Sequence, residues 1–218
     1  MFVREIKWTN DGIKMSLCVV ERQINVGLPF GKVKMLFVQP YLEFQDPSQE
    51  PFPFSGGCSA RLIQSIDKTF EIARTFDPHF ILFPEFALPG VKAVRRVADL
   101  MATAAVPASR IVIAGVQGLS KEQYAELCGL PNANVEAANA PDRVKGYQWV
   151  NTSVTFVKDS NGSLSLWIQP KISPSWEEAN ERHQQMFPGR AVYIFEAKFD
   201  NDVSCWFFSL LCFDWVGQ

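Results

Sequence analysis

The sequence predicts an α/β layered fold in which helices pack on one face of a mixed β-sheet. The first observation is the order β, α, β, α, β, in which short apolar segments alternate with segments of helical periodicity. The second is a series of strand-like segments in the later part of the chain, two of them joined by a turn sequence. Because alternating units favour parallel strands and hairpins are antiparallel, both strand orientations are expected.

The first half of the main domain supplies three strands and two helices. Strands are predicted at the apolar segments VKMLFVQP, FILFPE and RIVIAGVQG, and Pro40 closes the first of them. A loop rich in Pro, Gly and Ser is expected over residues 41–57. The segments CSARLIQSIDKTFEIARTF and VKAVRRVADLMATA space their apolar residues as helical faces, and Asp77 and Pro78 are expected to end the first helix.

The second half is richer in strands. Residues 119–147 are expected to be irregular, apart from a short helix between Ser120 and Leu130. The segment WVNTSVTFVKDSNGSLSLWIQPK predicts a hairpin around an Asp-Ser-Asn-Gly turn. A polar loop then reaches Arg190, and the segments AVYIFEAKF and VSCWFFSLLC predict two further strands.

Residues 1–33 differ from the rest of the chain. The segments FVREIKW and IKMSLCVVE are compatible with two strands around an Asn-Asp-Gly turn, or with a tail left from a neighbouring domain. We interpret residues 1–33 as an N-terminal extension or the remnant of a neighbouring domain, followed by one main domain over residues 34–218.

The composition excludes several classes of protein. A formal net charge of −2 over 218 residues gives no broad basic field for nucleic acid or for an anionic membrane surface. The longest apolar runs are shorter than the roughly 20 residues that a membrane helix needs. Five scattered cysteines and two histidines favour neither a disulfide framework nor a metal site. A reducing, cytoplasmic location is therefore expected.

Three reactive side chains follow three predicted strands. Glu85 comes after FILFP, Lys171 after SLWIQP and Cys212 after WFFSLL. In open α/β sheets the carboxyl ends of strands form the usual place for a site. A carboxylate can take the thiol proton, and an ammonium can stabilise first the thiolate and then a substrate oxyanion, so the set suits acyl transfer. Taken singly, each residue has a structural alternative: Glu85 can be a helix cap or a loop acid, Lys171 a solvated lysine and Cys212 a packed thiol.

Four segments together resemble the nitrilase, or carbon–nitrogen hydrolase, superfamily. KMLFVQP is similar to its first strand, and FILFPEFALPG to its apolar strand followed by Pro-Glu and a glycine turn. The segment VNTSVTFV…GSLSLWIQPK resembles its Asn-Ser/Thr hairpin that leads to a lysine. MFPGRAVYIFEAKFDNDVSCWFFSLLCFDW resembles its Pro-Gly step, two strands and Cys-aromatic-Asp elbow. The resemblance covers residues 34–218, with the catalytic residue types in the family order.

The resemblance implies a four-layer αββα sandwich with mixed β-sheets and a Glu85–Lys171–Cys212 triad. It implies hydrolysis of an amide, nitrile or carbamoyl C–N bond through a cysteine thioester, with the backbone N–H of Phe213 as a second oxyanion donor. No metal or organic cofactor is required. The family also carries an accessory acid after the lysine. Glu178 is favoured for it, and the neighbouring acids Glu177 and Glu181 stay open.

The sequence departs from the family pattern in ways that leave a second function open. Only six residues follow Cys212, so the family core is expected to be C-terminally incomplete here and to be part of a larger protein or completed by another chain. A homo-oligomer or a covalently linked neighbouring domain is therefore an expected partner. The alternative function is a catalytically inert nitrilase-like module for binding or assembly within a multidomain protein, such as a reverse-transcriptase-linked defence protein.

Overall fold

The computed structural model describes the chain in seven stretches, which are residues 2–10, 13–29, 32–43, 54–103, 110–174, 185–200 and 203–211. Within them the α-helices are α1 (Gly56–Phe76), α2 (Gly90–Ala102) and α3 (Lys121–Cys128). The strands are β1 (Phe2–Asn10), β2 (Ile13–Pro29), β3 (Met35–Phe37), β4 (Phe80–Leu82), β5 (Arg110–Ser120), β6 (Ala133–Asn134), β7 (Trp149–Lys158), β8 (Leu164–Pro170), β9 (Ala191–Asp200) and β10 (Ser204–Phe208).

The strands form two mixed sheets rather than a single one. The larger, sheet B, has the order β3-β4-β5-β7-β8-β6. Its first three strands run parallel, because α1 lies between β3 and β4 and α2 between β4 and β5 in the chain. The pairs β5–β7 and β7–β8 are antiparallel, and the second of these pairs is the predicted hairpin.

Sheet A has the order β1-β2-β9-β10 and joins the two ends of the described chain. β1 and β2 pair antiparallel, as in the two-strand alternative that the sequence left open for this region. β2 then pairs parallel with β9, and β9 pairs antiparallel with β10. Sheet A thus contains strands from both sides of the proposed domain boundary at residue 33. The interpretation of residues 1–33 as the remnant of a neighbouring domain stays a prediction.

Sheet B lies between the helices and sheet A. On one face, buried residues of the helices, such as Phe70, Val94 and Leu127, pack against sheet B in a single apolar cluster. On the other face, a second cluster joins sheet B to β2, β9 and β10 of sheet A. Strand β5 shows the alternation directly, because Val112 belongs to the helix-side cluster and Ile111 to the sheet-side cluster. The described fold therefore has three layers: helices, sheet B and sheet A.

Helix α1 ends where the sequence predicts. Asp77 takes the left-handed conformation, with φ of 51°, and its N–H donates to the carbonyl of Ala73. Pro78 follows and cannot continue the helix. The Arg110 guanidinium, which has no exposed surface, binds the Asp77 carboxylate at 2.7 Å and so fixes this helix end to the start of β5.

The α/β class and the packing of helices on one face of a sheet are confirmed. The predicted order of strands and helices is found in the described stretches with one difference, the two-residue strand β6, which lies in a region that was expected to be irregular apart from a short helix. Among the described residues, no helix is long and apolar enough to cross a membrane.

Candidate active site

Glu85 lies on a short bulge after β4, between two points where the chain pairs with β5. Pairing with β5 continues through the Phe83 N–H, which donates to the Ile113 carbonyl at 2.8 Å, and resumes where the Leu88 N–H donates to the Gly115 carbonyl at 2.9 Å. Between these bonds the chain turns at Glu85 and Phe86, and Phe86 has a positive φ of 62°. Such a conformation is unusual for a bulky residue and marks a backbone that its surroundings hold in place.

Gly115 makes this bulge possible. A Cβ atom at Gly115 would lie 2.5 Å from the Cα of Glu85 and 2.8 Å from the backbone nitrogen of Phe86. The Gly115 N–H also donates to the Pro84 carbonyl at 3.2 Å. The missing side chain therefore lets the Glu85 turn rest directly on the backbone of β5.

Lys171 follows β8, and two hydrogen bonds fix the position of its backbone. Its N–H donates to the Asn151 carbonyl at 2.8 Å, and its carbonyl accepts from the Gly189 N–H at 2.7 Å. Gly189 is a second point of close approach, because a Cβ atom there would overlap the Pro170 carbonyl oxygen and lie 3.2 Å from the Lys171 oxygen. The Pro-Gly step seen in the sequence thus supports the backbone that carries the lysine.

The side chains of Glu85 and Lys171 meet, although 86 residues separate them in the chain. The Lys171 Nζ lies 3.1 Å from the Glu85 Oε1, with the two side chains 2% and 18% exposed. The Asn151 Nδ2 donates to the same Oε1 at 2.6 Å. A buried ion pair needs such additional hydrogen bonds to offset the loss of hydration, and Asn151 provides one to the carboxylate.

The segment before Cys212 reaches the same strand ends. The Gln169 Nε2 donates to the Ser209 carbonyl at 2.7 Å, and the Ser209 Oγ donates to the Ser153 Oγ at 3.3 Å. Ser209 and Leu211 are both buried. Ser153 is two residues from Asn151 and Gln169 is two residues from Lys171, so the chain arrives at Leu211 close to the acid–lysine pair.

The structure thus brings together two of the predicted site residues, Glu85 and Lys171. Cys212, Phe213 and the accessory acid Glu178, with its alternatives Glu177 and Glu181, lie outside the described residues. The roles assigned to all of these residues stay predictions.

Several residues of the site were not identified from the sequence. Asn151 appeared only as part of a hairpin, and Gly115 only as part of a strand. A buried amide near the start of β7 and a glycine inside β5 are both signals of a special local environment. Gln169 and Ser209 carried no comparable signal, because their partners are distant in the chain.

The structure describes four of the five cysteines, and none of these four is the proposed nucleophile. Cys18, Cys58, Cys128 and Cys205 are free. Burial raises the pKa of Cys128 to about 11 and also raises that of Cys18, where Glu136 and Glu5 add a smaller effect. The raised pKa values keep the Cys18 and Cys128 thiols protonated at neutral pH, and these two are therefore poor nucleophiles. In the described stretches, no group of three or more His, Cys, Asp or Glu residues could hold a metal ion.

No protein-family model matches this chain, and no curated protein matches it.

The hydrogen bond from Asn151 to Glu85 gives a testable prediction. Replacing Asn151 with leucine removes the donor at 2.6 Å, and we expect the free energy of unfolding to fall by about 2 kcal/mol in urea titrations. Thr155→Val is the matched control, because Thr155 is a buried polar residue of the same strand away from the site. Equal losses in the two variants would show that the bond to Glu85 does not stabilise the fold.

Proposed function

We propose that this protein hydrolyses a non-peptide C–N bond through a thioester on Cys212, within a nitrilase-like fold. The observation that carries the proposal is the buried contact of 3.1 Å between the Lys171 Nζ and the Glu85 Oε1. Ser209, in the segment that ends at Leu211, is hydrogen-bonded to Ser153 and Gln169. The proposed nucleophile Cys212 is the next residue after Leu211.

The layer order supports the fold part of the proposal. Helices, sheet B and sheet A correspond to three of the four layers of an αββα sandwich. The proposed fourth layer would lie on the outer face of sheet A, where Trp206 and Phe208 of β10 are about half exposed while Cys205 and Phe207 point inward. An outward pair of large aromatic side chains is typical of a sheet face that another element covers.

The proposed reaction begins with proton transfer from the Cys212 thiol to the Glu85 carboxylate. The thiolate attacks the carbonyl carbon of an amide, and the negative charge moves to the substrate oxygen. Glu85 then gives its proton to the departing ammonia or amine, and the C–N bond breaks to leave a thioester. Glu85 next takes a proton from water, the resulting hydroxide attacks the thioester, and the acid leaves as Glu85 returns that proton to the Cys212 sulfur. With a nitrile, the thiolate adds to the nitrile carbon while Glu85 protonates the nitrogen. A molecule of water then adds to the resulting thioimidate and gives the tetrahedral intermediate from which ammonia leaves.

Lys171 has the electrostatic role in this scheme. Its side chain is 2% exposed, so its ammonium group acts in a medium of low dielectric constant, where a charge interacts strongly with an oxyanion. The Phe213 N–H is proposed as the second donor to that oxyanion, and Glu178 as the acid that orients the site. Because Glu85 already binds both Lys171 and Asn151, the acid and the lysine are positioned before substrate arrives.

The proposed setting is a reducing compartment such as the cytoplasm. The described cysteines are free thiols, as expected where thiols stay reduced. The proposed partner is a small-molecule amide or nitrile, with a second copy of the chain or a linked domain completing the fold.

The thioester is the intermediate that tests this function. The chain is mixed with acetamide, benzamide or N-carbamoylglycine, quenched in acid and analysed by intact mass spectrometry. We expect the mass of one acyl group on Cys212, no adduct in Cys212→Ala, and slow adduct formation in Glu85→Gln. Cys205→Ala should behave as the unmodified chain, since Cys205 lies in β10 away from the site. An adduct that persists in Cys212→Ala would contradict the proposal.

The exposed side chains of Trp206 and Phe208 on β10 favour one alternative function, a catalytically inert module for assembly. In that case Trp206 and Phe208 would contact another domain, and the acid–lysine pair would be structural. Cys212 would then react with an alkylating agent no faster than Cys205, and no substrate would leave an acyl group on it.

A further inference from the structure

We propose that a cavity between strands β1 and β2 and the 3-10 helices at Ala137–Asn139 and Pro141–Arg143 binds a small organic anion through Arg143 and Arg190. The cavity has a volume of about 530 Å³, which is within the range of small-molecule sites. None of Glu85, Lys171 and Asn151 lines it. This inference is therefore independent of the proposed hydrolysis.

In the described stretches, Arg74, Arg143 and Arg190 form no ion pair with a carboxylate, and of these three Arg143 and Arg190 line the cavity. In the described stretches, most arginines form an ion pair with a carboxylate, namely Arg4, Arg22, Arg61, Arg95, Arg96 and Arg110. The guanidinium groups of Arg143 and Arg190 form neither an ion pair nor a hydrogen bond with any described residue. Both line the cavity, and Glu5 is the one carboxylate among the described residues of the lining. This described part of the lining therefore carries two positive charges and one negative charge.

The cavity is built on a rigid frame. The buried Asn139 side chain accepts from the Arg190 N–H at 2.7 Å and donates to the Ala191 carbonyl at 3.0 Å. The Tyr124 hydroxyl donates to the Asn139 carbonyl at 2.7 Å, and the Cys18 N–H donates to the Arg190 carbonyl at 2.8 Å. These bonds fix the backbone of Arg190 relative to the chain that leads to Arg143, so the cavity does not have to be formed when a ligand arrives.

The remaining walls define the chemistry of the ligand. Phe187 offers an apolar surface, and Ser16 a hydroxyl group. A planar guanidinium fits two oxygens of a carboxylate or of a phosphate, and such charge-assisted bonds are the stronger ones. The ligand class is thus a small molecule with one carboxylate or phosphate group on a short apolar body.

Cys18 gives the site its own reporter, because its thiol lines the cavity and is partly exposed. The rate of maleimide labelling of Cys18 is measured on the full chain at pH 8 and constant ionic strength, with increasing butyrate, propyl phosphate or 1-butanol. Cys205, in β10, is the internal reference. We expect at least one of the two anions to slow Cys18 labelling saturably, while Cys205 labelling is unchanged and the neutral alcohol has no effect. The anion that protects identifies the head group.

Three variants decide whether the arginines are responsible. Arg143→Gln and Arg190→Gln should each weaken the protecting anion about tenfold, since each loses one charge-assisted hydrogen-bond donor. Arg74→Gln is the matched control, because Arg74 lies in the last turn of α1, away from the cavity. Both cavity arginines are exposed, and thermal unfolding verifies that the variants fold. Failure of both anions to protect Cys18, protection by 1-butanol, or equal affinities in all three variants would overturn the proposal.

Discussion

Lys171→Met is expected to slow the proposed hydrolysis by about 10²–10³-fold, which is the usual cost of losing one oxyanion donor. Methionine keeps the length and packing of the lysine stem but removes the ammonium group that lies 3.1 Å from the Glu85 Oε1. The measurement is the rate of product release with a substrate found by thioester trapping. Because the ammonium group acts on the transition state, the loss should appear in kcat rather than in KM alone.

A double-mutant cycle tests the same pair without any substrate. Removing the Lys171 charge leaves a partly buried carboxylate without its cation, and we expect the free energy of unfolding to fall by about 3 kcal/mol. Combining Lys171→Met with Glu85→Gln removes both charges, and much of that loss should be recovered, since neutral replacements of a buried pair are often tolerated. Additive losses in the double variant would show that the two side chains do not interact in solution.

Gly115→Ala is expected to destabilise the fold by about 3 kcal/mol, although the change adds a single methyl group. The new Cβ would lie 2.5 Å from the Cα of Glu85 and 2.9 Å from the Pro84 oxygen, and these are backbone atoms that cannot rotate away. The bulge that carries Glu85 has to move, so hydrolysis should fall with stability. Urea unfolding and the rate of hydrolysis measure the two effects.

Gly189→Ala provides an independent test on the lysine side of the site. Its Cβ would overlap the Pro170 carbonyl oxygen and displace the backbone of Lys171, so a loss of stability similar to that of Gly115→Ala is expected. Gly146→Ala is the matched control, because a Cβ at Gly146 meets nothing within 4 Å. The prediction fails if either site glycine tolerates alanine as well as Gly146 does.

The fold class could be predicted because apolar periodicity depends on local sequence. The buried residues of α1 recur with helical spacing. Strand β5 has three consecutive β-branched residues near its start, Ile111, Val112 and Ile113, and is largely buried, so the local sequence indicates the type of each element. Glu85 and Lys171 could be proposed as site residues because each follows an apolar segment, and the structure shows their side chains in contact. The division of the strands between two stacked sheets depends on the parallel pairing of β2 with β9, and no local pattern encodes that pairing.

The residues that support Glu85 and Lys171 could not be predicted from the local sequence. Asn151 donates to a carboxylate 66 residues away, and Gln169 donates to a carbonyl 40 residues away. Both bonds exist only after the strands have assembled, so the sequence around each residue reads as an ordinary strand. Gly115 is an intermediate case, since a glycine within a strand indicates a close approach but does not identify the Glu85 turn as the neighbour.

The convergence of the acid, the amine and the sulfur can be tested most directly through the pH dependence of Cys212 alkylation by iodoacetamide. A thiolate stabilised by the ammonium of Lys171 should make Cys212 react faster than Cys205 and Cys18 at pH 6 to 7, and Lys171→Met should reduce its rate to theirs. Equal rates for the three thiols in the unmodified chain, or a fast Cys212 whose rate is unchanged by Lys171→Met, would contradict it.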